Sequence, residues 1–256
     1  MRRLRQTPAV DYGESDGEDG LPHAAIPFAQ LARALMEGSF PQLAPQPSTK
    51  AVTPAALRES GFRAPLLVRC GDCVHATRQA LGLRVPQGLG APAVAAALGL
   101  DTLVHTLDVA TQRPGLRMTL GEWARYFELP PHERRPLLNV VALNLGGTPL
   151  EAEVHAPAAV RGIDLASIWP PGDLSAPQVQ LYCLMSPAGS YTDWHVDMAG
   201  SAVWYHLLSG RKVFLLAPPT PANLAAYEAW AGSERQAEEG FARRASGCLG
   251  ARGSRN

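Results

Sequence analysis

Beyond residue 178 the chain changes texture, and this change constrains its fold more than any other feature. Four short aliphatic and aromatic runs follow one another: VQLYCLMS ending at Ser186, YTDWHVD (191–197), SAVWYHLLS (201–209) and KVFLLAP (212–218). Gly, Ser and Pro turns separate them at nearly even spacing, the pattern of an antiparallel sandwich or barrel. PANLAAYEAW (221–230) then reads as a helix. The tail from Arg243, RRASGCLGARGSRN, has no periodicity and is expected to be unstructured over 243–256.

Upstream the texture is mixed. Residues 1–25 are acidic and poor in groups to bury, and are expected to be disordered. PFAQLARALME (27–37) has helical spacing of Phe28, Leu31, Leu35 and Met36. After a proline-rich loop, Thr53-Pro54 predicts a helix start with threonine as N-cap, ending near Ser60 and Gly61. APLLVRC (64–70) reads as a buried strand, and LVHTLDVA (103–110) alternates as a strand. The Ala/Gly/Pro-rich stretch within 83–100 reads as an inserted linker with a turn or two of helix. Thr119 and Glu122 fit a capping box that opens the helix TLGEWARYFEL, which Pro130-Pro131 stops. LLNVVALNL (137–145) is a further strand, and 146–178 is loop-rich. The expected organisation is therefore 1–25, a helix and strand region over 26–178, a barrel-like region over 179–242, and the tail.

Composition removes several functions. The 23 basic and 23 acidic residues cancel, so no basic excess exists to hold nucleic acid by phosphate neutralisation alone. No long apolar stretch suits a membrane span, and the first twenty residues lack the apolar core of a signal peptide. Four cysteines are too few for a disulfide scaffold in 256 residues, which favours a reducing compartment. Cys70 and Cys73 form a lone CxxC near His75; zinc needs two further ligands at matching spacing, so two incidental thiols is the reading. Arginine supplies 21 of the cations and lysine two, Lys50 and Lys212, consistent with GC-rich coding, under which a retained lysine carries more weight.

The sharpest chemical signal is His195-Val196-Asp197. In a strand, alternation sends both polar side chains to one face, one pleat apart. An imidazole and a carboxylate so placed can hold one side of a metal, as in the 2-His-1-carboxylate facial triad of Fe(II) oxygenases. The competing reading is a polar pair on the solvent face of an edge strand.

The motifs YCLM, TDWHVD, VWYH and PPTPANLAAYEAW, dense over 180–231, resemble the JmjC domain of histone lysine demethylases. More narrowly they resemble the branch of F-box and PHD-finger demethylases. FRAPLLV, HTLDVATQ, RMTLGEWARYF and LLNVVALNL resemble the region before the barrel, so the likeness spans roughly 26–242. The resemblance implies an α+β, mainly β chain: the N-terminal half of a double-stranded β-helix (jelly-roll, cupin-like) with preceding helices and strands. It implies that His195 and Asp197 bind Fe(II), while Thr192, Lys212, Tyr205 and Asn139 bind the cosubstrate 2-oxoglutarate. The implied reaction is oxidative N-demethylation of methyl-lysine in a histone tail, with release of formaldehyde and succinate. Chromatin association and a nuclear location follow from the resemblance, with weak support from the basic clusters Arg2, Arg3, Arg5 and Arg243, Arg244.

One part of the family pattern has no counterpart here. The family's second histidine ligand follows later in the barrel, and the only histidine after His195 is His206, whose strand parity puts it on the face opposite Tyr205. A truncated gene model or isoform is one explanation; a short protein that binds a partner without catalysis is the other. A JmjC-type protein hydroxylase is a third functional alternative.

Overall fold

The computed structural model describes residues 40–45, 48–69, 74–170, 180–237 and 239–255. The expected helix over 27–37, the acidic N-terminus and the Cys70/Cys73 motif lie outside them. The helices are α1 (Pro54–Glu59), α2 (Val74–Leu81), α3 (Ala91–Leu98), α4 (Leu120–Glu128), α5 (Ala158–Arg161) and α6 (Pro221–Trp230). The strands are β1 (Leu103–Asp108), β2 (Arg113–Thr119), β3 (Leu138–Asn144), β4 (Tyr182–Met185), β5 (Gly210–Leu216) and β6 (Leu249–Arg255).

Local chemistry sets the helix starts. Thr53, Thr119 and Thr220 each accept a bond from the backbone N–H three residues on, satisfying a donor that the helix itself leaves open. At α4 the exchange is reciprocal: Glu122 Oε2 accepts from the Thr119 N–H at 2.8 Å. This bond and the Thr119 hydroxyl pull the Glu122 carboxyl below its ordinary pKa.

β2, β1, β3 and β4 form one antiparallel sheet in that order. Its apolar face packs on α3 and α4 through Val94, Val104, Leu120, Trp123, Leu138 and Val140. Trp123 is fully buried and stacks on Tyr126 with ring centroids 5.2 Å apart. The Tyr126 hydroxyl accepts from the Leu138 N–H and donates to the Pro136 carbonyl, fastening α4 to the start of β3.

Four expectations need correction. The stretch 83–100 holds the expected turns of helix, as α3, but is not a linker: Ala91, Val94 and Ala95 belong to the core, because alanine is the best helix former and its small side chain lets α3 pack on α4. APLLVRC forms no strand; within 64–69 only Leu67 makes an isolated bridge, to Pro45, and Leu66 is exposed. The runs 191–197 and 201–209 form no strand among the described residues, since an apolar run becomes a strand only beside a partner. The tail is not wholly unstructured: β6 pairs with β5 in register from Gly210↔Arg255 to Leu216↔Leu249.

That pairing covers an edge of β5 that would otherwise stay open. Asn223 of α6 anchors it. Its amide donates to the carbonyls of Pro218 and Ser246, each at 2.9 Å, and accepts from the Ser246 N–H at 3.0 Å. The described strands thus make a four-stranded and a two-stranded antiparallel sheet, mixed with helices; they do not close a barrel.

Candidate metal centre and cosubstrate pocket

The His195 and Asp197 side chains lie close together, although the segment that carries them is not the strand on which their pairing was expected. Nε2 of His195 lies 3.5 Å from Oδ1 of Asp197, and both side chains are about half exposed. On the far side of the ring, Nδ1 is 2.8 Å from the carbonyl oxygen of Asp193. A carbonyl only accepts, so Nδ1 carries the proton and donates it. Nε2 is thus the ring nitrogen left to face the Asp197 carboxylate. Either a proton on Nε2 or a shared metal ion can bridge the two atoms. Imidazole and carboxylate bonds to a first-row metal run about 2.0–2.2 Å, so one ion reaches both atoms. The donor set, one nitrogen and one hard oxygen, fits Fe(II). Among the described residues no group of three or more His, Cys, Asp or Glu is placed to hold a metal. His206 lies elsewhere, its ring stacked on Trp204 and its Nε2 3.4 Å from Nη2 of Arg78.

The segment that carries His195 and Asp197 is held by neighbours that sequence reasoning missed. The Asp193 carboxylate accepts from the Trp194 N–H at 2.8 Å and from Nε2 of Gln236 at 3.2 Å. Burial raises the Asp193 pKa, against the pull of those bonds and of the His195 ring. Trp194 packs edge-on against Phe241, which also touches Tyr227 and Trp230 of α6. From the other side, Gln112 in the turn between β1 and β2 bonds the backbone of Tyr191 and Asp193. The available sequence signal for Gln112 was its place at the end of the HTLDVATQ motif.

A second group forms on β5. Lys212 is half-buried, and burial lowers its pKa. Nζ lies 5.8 Å from the centre of the Phe214 ring, and among the described residues no carboxylate pairs with it. Tyr205 meets the same ring edge-on at 5.1 Å. Burial pushes the Tyr205 hydroxyl pKa up, with a smaller push from Cys183, whose own thiol burial raises to about 11. An ammonium in partly desolvated surroundings without an anion is costly unless an anionic ligand meets it.

Asn139 on β3 is fully buried, and neither end of its amide has a hydrogen-bond partner among the described residues. Buried amides in folded proteins are nearly always satisfied, so leaving both ends of this one without a partner is costly. Thr192 is exposed, three residues before His195. Lys212 and Tyr205 therefore converge on Phe214, and His195 pairs with Asp197. No hydrogen bond, ion pair or ring contact among the described residues joins these two groups to each other or to Asn139 and Thr192.

No protein-family model matches the chain. Individual proteins do. It is 46% identical over 152 residues to JmjC domain-containing histone demethylation protein 1 of Mycosarcoma maydis, covering 56% of this chain and 23% of that protein. It is 37% identical over 207 residues to lysine-specific demethylase 2A of Xenopus tropicalis, covering 75% of this chain and 17% of the relative. Lysine-specific demethylase 7B of Danio rerio is 34% identical over 255 residues, covering 97% of this chain and 42% of the relative. The last likeness extends beyond 26–242, the extent read from the motifs. The chain spans less than half the length of each of these relatives.

Proposed function

We propose that this chain, which is related in sequence to the JmjC-domain histone demethylases, carries part of an Fe(II)- and 2-oxoglutarate-dependent demethylase site acting on methyl-lysine in histone tails. In this reading residues 179–242 belong to the N-terminal half of a double-stranded β-helix, and the protein works on chromatin in the nucleus. The observation that carries it is the His195–Asp197 pair, with Nε2 and Oδ1 3.5 Å apart and Nδ1 committed to the Asp193 carbonyl.

Bound iron supplies oxidation of an N-methyl group by dioxygen, with 2-oxoglutarate as co-reductant and succinate, carbon dioxide and formaldehyde as products. The chain's own groups do the rest. His195 and Asp197 hold the ion, and the Asp193 carbonyl fixes the ring's tautomer and direction, as an outer-shell acceptor does. The Lys212 ammonium meets the far carboxylate of 2-oxoglutarate in a charge-assisted contact. Thr192, Tyr205 and Asn139 offer it hydroxyl and amide groups. Phe214 lies against both Lys212 and Tyr205, and the partial desolvation of Lys212 there would strengthen the ion pair.

One observation favours a second reading, a partner-binding module without turnover: no three-ligand cluster exists among the described residues, while Val196, Met198 and Val203 stand exposed. The readings separate in one experiment. A longer form of the protein that completes the barrel around this chain is incubated with a dimethyl-lysine histone peptide, Fe(II) and 2-oxoglutarate, and the peptide mass is followed. The demethylase reading expects stepwise loss of methyl groups, abolished by His195→Ala, by Asp197→Ala and by chelation. Peptide binding without methyl loss, unaffected by chelation, supports the module instead. A mass gain of one oxygen identifies a hydroxylase.

A further inference from the structure

We infer that Gln112 is the positioning residue that sets the orientation of His195, an inference resting on the reading of His195 as a metal ligand. Gln112 stands in the turn between β1 and β2, far from His195 in sequence, with φ +55. That is the left-handed region, costly for a residue with a side chain and retained where surrounding contacts over-determine it.

The contacts account for it. Nε2 of Gln112 donates to the carbonyl of Val109 at 2.8 Å and to that of Tyr191 at 3.2 Å. Oε1 accepts from the N–H of Asp193 at 2.8 Å. The partners fix which end of the amide is which, since two carbonyls need a donor and a backbone N–H needs an acceptor. The side chain therefore clamps the backbone on both sides of Thr192. Asp193, held by its N–H, offers its carbonyl to Nδ1–H of His195 at 2.8 Å. The path runs from the hairpin turn through one peptide segment to the imidazole, and it determines which ring nitrogen faces Asp197.

Segment 191–197 has no sheet neighbour among the described residues, so the usual means of fixing a ligand on a strand is absent. A glutamine from another part of the chain takes that role, together with Gln236 on the Asp193 carboxylate.

Glycine at 112 separates positioning from folding. It adopts φ +55 without strain, so the hairpin is kept while the clamp is lost. Asparagine, also tolerated at positive φ, is one methylene too short to span both bonds and serves as the second variant. The full chain carrying ¹⁵N-histidine is studied by NMR, with His195→Gln assigning the resonance, alongside Co(II) titration and thermal unfolding. The wild type is expected to hold His195 as the single Nδ1–H tautomer. In Gln112→Gly and Gln112→Asn the tautomers mix and Co(II) affinity falls about tenfold, with the unfolding midpoint held. A variant that keeps the wild-type tautomer population overturns the inference. A tautomer change in a chain that never binds Co(II) upholds the positioning and removes the metal reading beneath it.

Discussion

Lys212→Met puts the cosubstrate pocket to a test in which stability and binding move in opposite directions. The wild-type ammonium is half-buried against Phe214 and, among the described residues, faces no carboxylate. Burial lowers its folded-state pKa below the ordinary value of about 10.4. Between the folded and unfolded pKa values the unfolded chain holds more protons, so stability rises with pH across that window. Below the folded pKa the penalty is present in full. Methionine has a similar length and no charge to desolvate, so the apo variant is expected to unfold at a higher temperature and to lose the alkaline rise. In the proposed site the same change removes the partner of the 2-oxoglutarate carboxylate. A hydrogen bond to a charged group contributes about 1.5–3 kcal/mol, so affinity should fall about 10- to 150-fold. Calorimetric titration of 2-oxoglutarate in the presence of Mn(II), and thermal unfolding between pH 7 and about 10.4, read the two effects. Unchanged cosubstrate affinity with a raised midpoint would refute the pocket and leave Lys212 as an incidental buried cation.

Two further perturbations address the buried amide of Asn139 and the scaffold. Asn139→Leu replaces a fully buried amide with no partner among the described residues by an apolar group of similar shape; denaturant unfolding should show a gain of about 1–3 kcal/mol, and 2-oxoglutarate binding should weaken. Thr119→Ala breaks the capping box of α4 and should cost about 1 kcal/mol, measured as a lower denaturant midpoint with an unchanged slope. An unshifted midpoint would mean that packing of Trp123 and Leu120 alone holds the helix.

What the sequence disclosed follows the range of the forces involved. The helices at 54, 119 and 221 were legible because caps and apolar periodicity are written within one turn of the chain. β1, β3 and β5 were legible because β-branched and aliphatic runs carry their own signal. β6 was not, since LGARGSR has no alternation and becomes a strand through β5 and the Asn223 anchor. Residues 191–209 failed in the opposite sense: they carry a strand signal without a partner among the described residues. At the site, the spacing of His195 and Asp197 marked them as a pair, but the strand alternation behind that reading is absent among the described residues. The clamp by Gln112 and the bond from Gln236 were hidden, because a glutamine's partners depend on which backbone the fold brings to it.

The central claim is that His195 and Asp197 form one side of a metal site, and titration of Mn(II) into the full chain tests it most directly. Parallel titrations use His195→Ala and Asp197→Ala, with circular dichroism to establish that each variant is folded. The account predicts one site in the wild type and its loss in both variants. Equal binding by all three chains, or no binding by the wild type, would contradict it.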